Sequence, residues 1–206
     1  MTSVRAAQIA LLLLVIAAGT LAAQDARLPD RLGAQVAARI QVIVDSARAA
    51  GLPTEPLVQK ALEGASKNVA PDRIVETVRS LRARLAAARD ALGRDTPGAD
   101  LTAAATALYA GTTTETLRRM QAARPGRPLA LPFAVLADLV QQGVAVDTAA
   151  ALMHDLTSAG VSDADLAQLL LLVQQDVRAG APPVAAATTR AQGVLARVGR
   201  GEWSPP

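Results

Sequence analysis

The chain has 206 residues, 51% hydrophobic and 19% charged, which separates it from disordered chains and allows one compact domain or two small ones. It contains no cysteine, which excludes disulfides, thiolate metal sites and cysteine nucleophiles. The formal net charge is +3, and nearly every basic residue is arginine, so the chain stays cationic to high pH without that pointing to a nucleic-acid partner.

The apolar content is mostly Ala, Leu and Val, and the three aromatics are Tyr109, Phe133 and Trp203. Such small side chains favour close helix–helix contacts, whereas a sheet wants the β-branched and aromatic residues that are scarce here. The first 23 residues have the order of a secretory signal: Arg5 in a short n-region, an apolar Ile9–Ala18, then small residues up to Ala23. The expectation is export to the periplasm or outside the cell. An uncleaved membrane anchor is the alternative, disfavoured because the apolar stretch is short for a span and is followed by Gly19 and Thr20.

After the signal, Asp30–Ala50 reads as a helix with Leu32, Val36, Ile40, Ile43 and Ala47 on one side. Gly51 and Pro53 end it, and Thr54 caps a second helix running to about Lys67. Pro71 opens a longer one with the stripe Ile74, Val78, Leu81, Leu85, Ala88 and Leu92. Arg94–Ala99 is a candidate hinge between an N-terminal helical part, 24–93, and a C-terminal one, 100–199. The second part reads as helices over Ala99–Ala110, Thr113–Ala123, Leu131–Gln142, Val146–Ser158, Leu166–Val177 and Val184–Val198. Thr112 with Glu115, and Ser162 with Asp165, have capping-box spacing. The run Leu169–Val173 is apolar on every side, which predicts a central helix. Residues 200–206 read as a flexible tail. The class is therefore all-α: a bundle, or a short array of stacked helix pairs, of eight or nine short helices after a signal peptide.

Stretches starting at Gly51, Gly111 and Gly143 align, each with an acidic residue four places on (Glu55, Glu115, Asp147) and each reading helix, turn, helix with a period near 32 residues. This pattern fits stacked helix pairs, and it also fits the glycine stops of any small helical protein. The segment Gly51–Val75 (GLPTEPL…ALEGA…DRIV) resembles a segment of uncharacterised exported all-helical bacterial proteins. The resemblance implies export and helicity and carries no activity.

No catalytic or cofactor motif stands out. His154 is the only histidine, and a hydrolase would need it as general base with a nucleophile such as Ser158; no Gly-x-Ser-x-Gly elbow accompanies it. One histidine cannot anchor a zinc site, and Asp163 and Asp165 lack the rest of a calcium loop, so no metal is expected. Phosphate-cradling glycine loops are absent, so no cofactor is expected either.

Charge is the informative polar feature. Arg73–Arg127 holds ten Arg against five acids, while Pro128–Gly180 holds six Asp against one Arg. Arg79, Arg82 and Arg89 share a side of the long helix and form a candidate surface for a protein partner, an anion or anionic lipid. Nucleic acid is not expected, because the aromatics that stack on bases are missing. The two oppositely charged stretches also suit contact within the fold or between copies. Trp203, between Gly201 and Pro205, is a candidate tail anchor. The leading expectation is a non-enzymatic exported interaction or scaffold module; a peripheral binder of anionic lipid is second, and a hydrolase at His154 a distant third.

Overall fold

A computed structural model of the protein describes residues 27–200. The expected signal peptide, 1–23, and Trp203 lie outside the described residues. Within them are ten α-helices and no strand. They are α1 (Arg27–Leu32), α2 (Ala34–Ala49), α3 (Glu55–Ser66), α4 (Pro71–Leu92) and α5 (Gly98–Tyr109) in the first half. The second half holds α6 (Thr114–Ala123), α7 (Ala130–Gln141), α8 (Val146–Ser158), α9 (Asp163–Arg178) and α10 (Pro183–Gly199). None of these is long and apolar enough to cross a membrane.

The count of eight or nine is corrected to ten because the first expected helix is two. Gly33 sits at φ 75°, outside the right-handed helical region, and separates α1 from α2. α1 begins before the expected Asp30 and buries Leu28, which lies on the core though no periodic stripe reaches it.

One corner joins most of the helices. At Gly143 the chain turns through φ 96°, and the next amide, Val144 N–H, bonds back to Leu139 O at 3.0 Å. This closes the carbonyls left over at a helix C-terminus and drops a buried residue into the core before the next helix starts. Equivalent bonds run from Leu52 to Ala47, Val69 to Gly64, Thr112 to Ala107, Val161 to Leu156 and Ala181 to Asp176. At the second of these Asn68 takes the left-handed position at φ 53°, as the one non-glycine the described residues place there. The same corner thus closes helix ends at Val69, Val161 and Ala181 as well as at the three aligned glycines Gly51, Gly111 and Gly143.

It also moves one cap. Thr112 is the buried residue after Gly111, so it is Thr113 that accepts from Thr116 N–H at 3.1 Å and caps α6. Ser162 caps α9 as its spacing predicts, accepting from Asp165 N–H at 3.1 Å and donating to the Asp165 carboxylate at 2.6 Å.

The helices pack around two hubs. α4 lies against α2, α3, α5 and α6, and α7 lies against α5, α8 and α9, so α5 is held between them. That position suits its composition: Leu101, Ala104, Ala105 and Ala107 are buried, and alanine lets two neighbours approach at once. The apolar core is one continuous cluster from Leu28 to Val194, crossing residues 94–99. The run Leu169–Val173 is not central. Leu169 and Val173 are buried, but Leu171 is 53% exposed, because α9 packs on α7 and α10 and leaves a third side to solvent.

Two ion-pair arrangements tie the surface. Arg190 grips Asp176 with two bonds of 2.7 Å, joining α10 to α9 and holding the Asp176 carboxyl below its usual range. Glu63 accepts from Lys60 and Lys67 at 2.5 Å, and these two ammonium groups lower its pKa to about 2.

The approach of α3 to α4 depends on Gly64. A Cβ there would stand 2.8 Å from Ile74 Cγ1 and 3.2 Å from its Cδ1. Ile74 is 3% exposed and β-branched, so it cannot swing away. Gly64→Ala gains about 1 kcal/mol of helix propensity but incurs overpacking of about 1–3 kcal/mol, so a net loss is expected. Gly193, within α10, has nothing within 4 Å of such a Cβ, and Gly193→Ala should stabilise by about 1 kcal/mol. Urea unfolding of the two variants checks the contrast; equal stabilisation by both would contradict the α3–α4 packing.

Candidate functional site

Arg79, Arg82 and Arg89 lie along the side of α4 that borders α2. Arg82 Nη2 donates to Ser46 Oγ at 3.1 Å, and Arg89 lies against the turn after α2, where a Cβ on Gly51 would be 3.5 Å from its Nη1. Arg79 pairs with Glu76 of its own helix at 2.6 Å. On the α2 side, Arg39 pairs with Asp72 at 2.7 Å. Between the helices runs a groove of about 390 Å³ lined by Arg39, Val42, Ile43, Ser46, Arg79 and Arg82. Val42 is 69% exposed in it. The Nε atoms of Arg82, Arg84 and Arg89 are buried without a hydrogen-bond partner among the described residues.

The fold therefore brings together more than the predicted stripe. Arg79 and Arg82 share the groove with Arg39, Val42 and Ser46, while Arg89 is outside it. Sequence reasoning missed the α2 contribution because helix pairing is a tertiary fact. Its one signal was Val42, an apolar residue off the buried stripe of α2.

A second polar site forms where two segments set aside as a hinge and a loop meet. Residues 92–100 and 121–130 enclose a cleft of about 610 Å³. Three bonds lock its walls. Gln121 Nε2 donates to Leu92 O at 2.8 Å, Thr96 Oγ1 to the same oxygen at 3.0 Å, and Ala130 N–H to Asp100 Oδ1 at 2.9 Å. The first two serve a carbonyl at the end of α4, and the third an amide in the first turn of α7. Arg124 lines the cleft with its side chain 2% exposed. Its Nη2 bonds the Asp163 carboxylate at the start of α9, while Nε and Nη1 have no partner among the described residues. Arg94 and Arg127 line the same cleft, exposed and without an ion-pair partner among the described residues.

Elsewhere, His154 is half-buried on α8 with Nδ1 enclosed and unpartnered, and no hydrogen bond joins it to the exposed Ser158. No group of three or more His, Cys, Asp or Glu that could hold a metal occurs among the described residues. The Arg84 guanidinium stacks 4.8 Å from the centre of the exposed Tyr109 ring, and burial lowers the Arg84 pKa. Burial also raises the Asp138 carboxyl.

No family model, no curated protein and no solved structure matches this chain.

Proposed function

We propose that the protein is a non-enzymatic, exported interaction module that docks an acidic protein surface in the groove between α2 and α4. The observation that carries this reading is the set of three guanidiniums, Arg39, Arg79 and Arg82, around the exposed Val42. An apolar centre ringed by arginines has the composition of a binding hot spot. Two of the three arginines hold exposed carboxylates of their own chain, and such pairs are worth about 0–1 kcal/mol, so a partner's carboxylate exchanges for them readily. Helix pairs stacked through the glycine corner supply a rigid support for that face. The continuous apolar core agrees with a structural rather than a flexible role.

The test is affinity capture from the cell envelope with the wild-type chain and with Arg79→Glu/Arg82→Glu, at low and high salt. A saturable protein partner held by the wild type, with at least about tenfold less retained by the variant, is the expected outcome; loss of that order corresponds to about 1.4 kcal/mol. Retention independent of the variant, or salt-sensitive binding to anionic vesicles with no protein captured, would overturn the reading in favour of a different face or of a membrane surface.

A further inference from the structure

The cleft between residues 92–100 and 121–130 does not stand alone. It shares Ala99 and Ala130 with a neighbouring gutter of about 730 Å³. The gutter runs between α5, α7 and the start of α3, and its walls include Pro53, Pro56, Ala103, Leu131 and Ala134. The hydroxyl of Thr102, also in its wall, is already engaged by Gly98 O at 2.8 Å. A shallow, open apolar groove thus lies directly beside an arginine-lined cleft.

The polar end is built for an anion. Arg94 and Arg127 are exposed and unpaired among the described residues, and Arg124 is enclosed with two N–H groups lacking acceptors. Arginine cannot lose its proton, so the enclosed Arg124 keeps the cleft positive, while the exposed guanidiniums of Arg94 and Arg127 have donors open to an oxygen acceptor. Of the acids nearby, Asp163 is held by Arg124 and Asp100 by Ala130 N–H, which leaves Asp95 as the one carboxylate in the cleft without a bond among the described residues. The apolar end offers almost no polar partner to a peptide's amides and carbonyls along its proline and alanine walls, and suits a plain hydrocarbon better.

From this juxtaposition we infer that the protein binds an aliphatic carboxylate, its chain in the gutter and its head group against Arg94 and Arg127, with the enclosed charge of Arg124 behind them. The carboxylate takes the planar two-bond geometry that guanidinium favours, and the chain gains by leaving water. The site is separate from the groove between α2 and α4 and goes beyond the docking function proposed for it.

Calorimetric titration of the full chain with decanoate, below its micelle-forming concentration, tests the inference. One saturable site is expected, at least tenfold tighter than for decanol, with acetate giving no saturation. Arg94→Ala/Arg127→Ala should weaken decanoate at least tenfold, and because both residues are exposed the helical circular dichroism should be unchanged. Ala103→Trp, which fills the gutter, should abolish binding, whereas Arg79→Glu/Arg82→Glu should leave it intact. Absence of saturable decanoate binding, decanol binding as tightly as decanoate, or an unchanged affinity in the Arg94→Ala/Arg127→Ala chain would overturn it.

Discussion

Phe133→Ala should cost about 3–5 kcal/mol of unfolding free energy, the largest single loss available in this core. Phe133 is the chain's one phenylalanine and is fully buried in α7, the helix that packs against α5, α8 and α9. Its neighbours in the core are mostly Ala, Val and Leu, which cannot extend to fill the space left by an aromatic ring. A domain of this kind has a total stability of about 5–15 kcal/mol, so the variant should unfold at markedly lower urea. Leu171→Ala is the matched control. Leu171 is 53% exposed despite its place in an apolar run, and its truncation should cost under about 0.5 kcal/mol. Equal losses from the two substitutions, read from urea unfolding by circular dichroism, would contradict the packing of α7 and α9.

Removing the acid that faces the buried arginine should be the second large effect. Asp163→Ala leaves the Arg124 guanidinium enclosed with no anion at all. Breaking a buried pair in this way costs about 3–5 kcal/mol. The Asp163 side chain is 48% exposed, which places the expected loss near the lower end, about 3 kcal/mol. Helix polarity contributes about 0.3–1 kcal/mol of it, because Asp163 also sits in the first turn of α9. The discriminating variant is Arg124→Met/Asp163→Ala. Methionine fills the same space without donors, so the double variant should recover most of the stability. Urea unfolding of both chains reads the difference; a double variant as unstable as Asp163→Ala would show that the guanidinium is not the source of the cost.

Much of this architecture is legible in the sequence. The stripe Ile74–Leu92, the helix start at Pro71 and the cap at Ser162 depend only on neighbours within a few residues, and they reappear in α4 and α9. The differences have two causes, backbone turns that residue type alone does not announce and packing against distant chain. Gly33 reads as a residue inside a helix until its φ of 75° is seen. Thr112 reads as a cap until the corner buries it. Leu171 reads as core because a run of leucines does not say how many neighbours a helix has. The candidate sites were legible only in part: Arg79 and Arg82 were visible as a stripe, but Arg39, Val42 and Ser46 come from the facing helix. The cleft around Arg124 joins segments about 30 residues apart, and Arg124 itself pairs with an acid 39 residues on, through bonds that no local pattern encodes.

The docking claim is tested most directly by a photo-crosslinking residue at Val42, in the middle of the arginine-ringed groove, with the same residue at the exposed Leu171 as control. In the intact envelope, the Val42 position should yield a discrete crosslinked protein band that Arg79→Glu/Arg82→Glu removes, and the Leu171 position should yield none. Identical crosslinks from both positions, or lipid adducts alone at Val42, would contradict it.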